Sequence, residues 1–169
     1  AHLLTARGVP VAEREVVAAR AWTWGVSCRT ELLETMATLP GDSERNDVVH
    51  RLLVRLMDEP MPVGALAVEA MGSTRDVSCL PIVVGALARR ELLTVACRVL
   101  VRFGEDAAPY CAGALSDTST PQRVRMELAS VMAEMGPAAV DRLRDQLVAE
   151  PRGSVAYRVL LALERHGAG

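Results

Sequence analysis

Four glycines recur at a nearly constant interval: Gly72, Gly104 and Gly136 stand 32 residues apart, and Gly167 follows 31 later. A repeat of that length constrains a chain more than any single motif, because each unit is one supersecondary element that must stack on its neighbours to bury its apolar face. Each glycine closes an apolar, helix-favouring run. The spacing predicts helices over Pro62–Met71, Glu91–Phe103, Arg123–Met135 and Ser154–His166. Aligned on the glycine, one column reads Ala67, Val99, Val131, Ala162 and the next Val68, Leu100, Met132, Leu163. A small-residue column holds Ala65, Cys97 and Ala129. Such columns trace one apolar face of a helix. A helix often ends on a residue in the left-handed region, where a β-carbon costs about 1–2 kcal/mol, so glycine is expected there.

A second helix follows each glycine. Pro81-Ile82-Val83-Val84-Gly85-Ala86-Leu87 matches Pro109-Tyr110-Cys111-Ala112-Gly113-Ala114-Leu115. Proline suits the first helical turn, whose N–H groups have no intrahelical partner. Ser78 and Asp106, three residues earlier, are the expected N-caps. Val140, Leu143 and Leu147 continue the pattern in a third copy.

The first third follows the period less closely. Helices are predicted over Val11–Trp24, Arg29–Leu39 and Ser43–Asp58, separated by Gly25 and by Pro40-Gly41. The total is about ten helices. No Ser- or Pro-rich linker divides the 169 residues, so a single domain is expected, with irregular repeats over 1–58 and regular 31–32-residue repeats over 59–169. The chain starts at Ala1 and in mid-pattern, and is expected to be a fragment of a longer protein.

A helix, a glycine turn, a proline-bearing helix and a short polar link near Arg89 or Asp117 resemble the HEAT repeats of bacterial α-solenoids, similar to the HEAT-like repeats of phycobilisome lyases. The resemblance covers residues 62–166 well and the first third loosely. It implies an all-α fold: a right-handed α-α superhelix, or α-solenoid, of HEAT-like helical hairpins. It also implies a protein-binding scaffold, because most such proteins bind other proteins. No lyase-specific residue set is matched.

Composition narrows the function. Half of the chain is apolar and 24% is charged, which excludes disorder. No apolar run is long enough to span a membrane. Aromatics make up 3%, too few for an all-β protein. All 19 basic residues are arginine, and Asn and Ile occur once each, the mark of a GC-rich, bacterial genome. The net charge is −2, so no overall field draws the chain to nucleic acid, despite the arginine pairs Arg51/Arg55, Arg98/Arg102 and Arg123/Arg125. A cytoplasmic location is expected, with reduced thiols.

Catalytic and metal-binding patterns are absent from the sequence. Cys28, Cys79, Cys97 and Cys111 have no Cys-x-x-Cys spacing and read as small buried hydrophobes. His2, His50 and His166 lie in separate segments. The carboxylate pairs Glu31/Glu34 and Asp141/Asp145 sit on helix faces, and Arg144 and Arg142 lie three residues from Asp141 and Asp145. Neither phosphate loop nor nucleophile elbow is present.

No enzymatic activity and no cofactor are therefore expected. The expected function is a protein-interaction scaffold or regulatory binding module. The alternatives are an enzyme or a lyase-like accessory and, below it, a nucleic-acid binder. In the second helices Leu80, Val83, Val84 and Leu87, and Ala108, Cys111, Ala112 and Leu115, should face the core. The opposite stripe supplies the candidate partner-binding residues Ile82, Arg89, Tyr110, Asp117, Arg142 and Asp145. The recurring Gly85 and Gly113 are expected either to let neighbouring helices pack closely or to admit a ligand. Exposed apolar surface at the terminal helices, and end-to-end homodimers, are expected as well.

Overall fold

A computed structural model describes residues 51, 53–59, 61–149 and 153–167. The expected helices over Val11–Trp24 and Arg29–Leu39, most of Ser43–Asp58, and His2, His50, Cys28, Glu31 and Glu34 lie outside these residues. The described residues are all-helical and contain no strand, with eight helical segments among them. None of these helices is long and apolar enough to cross a membrane. The chain divides into two compact units, Ala1–Asp76 and Val77–Gly169.

In the first unit, residues 53–57 form a helical segment that buries Leu53 and Leu56. Helix α1 follows at Val63–Thr74, burying Val63, Ala67, Val68 and Met71. Its start lies tightly under the preceding turn. A β-carbon on Gly64 would stand 2.7 Å from the Glu59 carbonyl oxygen and 2.8 Å from that of Met57. At the other end the structure corrects the sequence reading. Gly72 does not terminate α1; the helix runs on to Thr74, and Arg75 takes the left-handed conformation at φ 51°. Thr74 makes this stop possible: its hydroxyl donates to the Met71 carbonyl at 2.8 Å and accepts from the Asp76 N–H at 3.4 Å.

The second unit is built from α2 (Leu80–Ala86), α3 (Leu93–Phe103), α4 (Ala108–Ser116), α5 (Gln122–Met135), α6 (Pro137–Ala149) and α7 (Ser154–Gly167). Helix α5 is central and packs against α3, α4, α6 and α7, while α2 packs on α3, and α6 on α4 and α7. The helices thus form one row of α3, α5 and α7, and α4 and α6 pair alongside it. Interdigitated Leu, Val, Ala and Met fill the space between them. Leu87, Leu100, Leu115, Leu128, Met132 and Leu143 are all fully buried. The core faces expected for α2 and α4 are observed, with Ala112 half-exposed at the edge.

The helix entries also differ from expectation. The N-caps of α2 and α4 are Cys79 and Ala107, not Ser78 and Asp106, and neither makes a side-chain cap hydrogen bond. Short 3₁₀ turns, Val77–Cys79 and Gly104–Asp106, lead directly into α2 and α4. The Gly104 carbonyl accepts the Ala107 N–H at 3.1 Å, so the second of these turns closes on its own backbone before α4 begins. Pro81 and Pro109 do fall in the first turns.

Gly104 ends α3 at φ 60° and donates to the Leu100 and Val101 carbonyls, as the period requires. Gly136 lies between α5 and α6 at φ 129°. Gly153, outside the glycine column, also has a positive φ of 95°. It therefore shares the left-handed backbone of Gly104 and Gly136, whereas Gly72 and Gly167 of the column lie within helices.

Contacts across the unit repeat the sequence period. The Ser116 hydroxyl donates to the Gln146 side-chain oxygen, 30 residues on. Gln122 donates to the Ser154 hydroxyl, 32 residues on, and Glu105 accepts from the Ala138 N–H, 33 residues on. At the end of the row, Tyr157 is 64% exposed and Leu160 42%, whereas Arg125 and Leu128, 32 residues earlier on α5, are buried. Val148 on α6 is also exposed.

Candidate functional site

The candidate stripe maps onto three helices of the second unit. Ile82 and Arg89 are half-buried, on α2 and in the turn that follows it. Tyr110 is 40% exposed on α4, and Asp117 is exposed just beyond that helix. Arg142 and Asp145 are exposed on α6.

The structure brings part of this set together. A shallow groove of about 320 Å³ runs between α4 and α6. Pro109, Ala112, Gly113 and Ser116 form one wall; Arg142, Asp145, Gln146 and Ala149 form the other. Both walls have the spacing i, i+3, i+4, i+7, a single face of each helix. On α6 this is the expected stripe with Gln146 added. On α4 it is displaced by one residue, so Tyr110 and Asp117 belong to the adjoining stripe and do not line the groove. The displacement follows from 100° per residue: Gly113 belongs to both stripes, and the position of α6 selects the one containing Pro109 and Ser116.

The groove has a defined chemistry. Ser116 and Gln146, on opposite walls, are joined by their hydrogen bond. Arg142 and Asp145 form no ion pair with each other. On the same helix Asp141 is paired with Arg144 at 2.6 Å, as the i, i+3 spacing predicts. Gly113 is exposed, and a β-carbon there would meet nothing within 4 Å; the same holds for Gly85 on α2. These glycines therefore do not serve close packing of neighbouring helices. Both face open space, and their carbonyls accept the Ala88 and Asp117 N–H groups.

Gln146 and Ser116 were not singled out in the sequence. Gln146, at i+4 from Arg142, was accessible to helical spacing; Ser116 was not, because its role depends on a partner 30 residues away.

Other polar groups have structural roles. Ser119 donates to the Asp117 carboxylate through its backbone N–H at 2.8 Å and its hydroxyl at 2.7 Å. These bonds hold that carboxyl below its ordinary range. Arg125, counted in the sequence among the surface cations, is buried instead; its Nε donates to the Leu115 carbonyl at 2.6 Å, at the C-terminal end of α4. There a cation faces the negative end of the helix dipole.

Cys79, Cys97 and Cys111 are not in disulfides, and Cys79 and Cys111 are buried. Burial pushes Cys111 up to about 12. Cys97 is pushed up to about 11, first by burial and then by the charges of Glu127 and Glu134. Thiols held protonated are poor nucleophiles. Among the described residues no three His, Cys, Asp or Glu side chains gather to hold a metal ion.

No family model matches the chain, and neither a curated protein nor a solved structure matches it. The α4–α6 groove is thus judged on its own chemistry. It offers a forked cation, a carboxylate, an amide and a hydroxyl along one shallow channel, with no side chain at Gly113.

Proposed function

We propose that this chain is a protein-interaction module, a HEAT-like helical-repeat scaffold that binds a protein partner along the α4–α6 groove. The observation that carries the reading is the groove itself: Arg142 and Asp145, which make no ion pair among the described residues, stand across from Gly113, where a β-carbon would meet open space, with Tyr110 exposed on the next stripe. Tyr and Arg are residue types in which binding energy concentrates. Unpaired groups of both signs suit a partner strand or helix carrying complementary charges.

The HEAT-like, right-handed solenoid is supported by the α3–α5–α7 row, the pairing of α4 with α6, and hydrogen bonds between residues about one repeat apart. In such a stack the second helices supply the binding face. The reading is non-enzymatic, and the raised thiols of Cys97 and Cys111 agree with it. A bacterial, cytoplasmic setting and end-to-end association through α7, where Tyr157 and Leu160 are exposed, belong to the same proposal.

The test is site-specific photocrosslinking from position 110, with Glu91 as an exposed control position. A discrete protein adduct is expected from position 110 and not from 91. Tyr110→Ala and Arg142→Ala should each weaken binding of the captured protein with an unchanged melting temperature. If Arg142→Ala, in the groove wall, binds it as tightly as the parent chain, the groove is not the site.

A further inference from the structure

A second groove, about 520 Å³, lies in the other row of helices, between α5 and α7. That volume is within the range of sites that hold small ligands or a short peptide stretch. Its α7 wall carries Arg158, Leu161, Ala162 and Arg165; its α5 wall carries Ser130 and Glu134. The four α7 residues have the spacing i, i+3, i+4, i+7. The two arginines are therefore rooted about 10 Å apart along the helix, with Leu161 and Ala162 between them.

The arginines are arranged to receive carboxylates. Arg158 is half-buried, and its Nε donates to the Ser130 hydroxyl on α5 at 3.0 Å. This bond fixes the guanidinium plane and leaves its two terminal nitrogens as an end-on fork, the geometry that matches a carboxylate. Arg165 is exposed and makes no ion pair within the described residues. Glu134 lines the same groove but pairs with neither arginine. It stands near Cys97 of α3, whose thiol responds to its charge. The two walls thus carry opposite charges that form no ion pair among the described residues.

We propose that the α5–α7 groove binds an extended acidic segment of a partner protein, with Arg158 and Arg165 each taking a carboxylate and the Leu161–Ala162 patch taking an apolar side chain between them. In an extended strand, alternate residues face the same way, so positions 1, 3 and 5 span about 13 Å. Arginine side chains are long enough to absorb the difference from about 10 Å. The sequence pattern that fits is acidic–x–apolar–x–acidic. This site is independent of the α4–α6 groove and shares no residue with it.

The probe is a capped, fluorescently labelled Glu-Ala-Leu-Ala-Glu peptide, with Gln-Ala-Leu-Ala-Gln as its uncharged twin, measured by anisotropy on the full chain. The acidic peptide should bind at least about tenfold more tightly than the twin, on the scale of hydrogen bonds to charged groups, and more weakly as salt is raised. Arg165→Ala, at an exposed position, and Arg158→Ala should each weaken it by about tenfold. Arg158→Lys keeps the charge and loses the fork, and should recover only part of that loss. Ser130→Ala, which frees the guanidinium of Arg158, should weaken binding less than Arg158→Ala. Glu134→Gln should tighten it by removing a like charge. Arg142→Ala, in the other groove, should leave it unchanged. The proposal is overturned if no binding is seen up to millimolar peptide, if the twin binds equally, if Arg165→Ala has no effect in a folded chain, or if free glutamate competes as well as the peptide does.

Discussion

Glu105 packs tightly against the bare face of Gly136: a β-carbon there would stand 3.1 Å from the Glu105 Oε1. The same oxygen accepts the Ala138 N–H at 3.2 Å, at the start of α6. The turn after α3 therefore caps a helix in the next copy, and the glycine between α5 and α6 leaves room for it. A carboxylate there also faces the positive end of the α6 dipole. Glu105→Ala should lower stability by about 0.5–1 kcal/mol in urea unfolding, with a smaller loss at high salt. A loss indistinguishable from zero at low salt would remove the cap from the account.

The glycines divide into two groups with opposite expected signs. Gly104→Ala and Gly136→Ala force a β-carbon into positive φ, and each should destabilise by about 1–2 kcal/mol. Gly85→Ala and Gly113→Ala add a methyl in open space on a helix, and each should stabilise by up to about 1 kcal/mol. Chemical denaturation of the four variants checks the signs. If Gly113→Ala stabilises the chain and also weakens the captured partner, the open space at Gly113 is used in binding.

Arg125→Ala should cost about 2–3 kcal/mol, because it removes a donor buried against the Leu115 carbonyl together with the packing of its stem. Arg123→Ala, two residues away and exposed, should cost less than about 0.5 kcal/mol. Thermal unfolding of the pair separates the two roles that the sequence placed together.

Cys97 should alkylate slowly at pH 8, and faster as pH approaches its value of about 11. Glu127→Gln removes a like charge, lowers that value and should speed the reaction at fixed pH. The sign for stability follows from linkage. Both thiols bind protons more tightly folded than unfolded, so their contribution is full below the unfolded value near 9 and is lost as pH rises through about 11 and 12. Iodoacetamide kinetics and urea unfolding between pH 8 and 11 measure both effects.

Much of the fold was legible in the sequence because helical periodicity is a local property. The 3.6-residue recurrence of Leu, Val and Ala marked Val83, Leu87, Cys111 and Leu115 as core, and each is buried. Pro81 and Pro109 announced helix starts, and Gly104 a helix end, from backbone geometry alone. Gly72 misled for the same reason: its spacing matched the column, but Thr74 and Arg75 made a better stop two turn positions later.

Tertiary structure alone decided where the polar side chains went. A helix wheel shows which face a polar residue occupies, but not what lies opposite it. Arg125 turned inward because the end of α4 lies against α5, and Glu105 became a cap because α6 starts beside it. Tyr110 fell outside the α4–α6 groove because the approach of α6 selected the stripe one residue away. The facing charges of Glu134 and Arg158 became one groove only when residues more than 20 apart in sequence were brought side by side. The period determines which residues are buried; the packing of one repeat on the next determines which charges meet, because a charge's partners are set by distance in space.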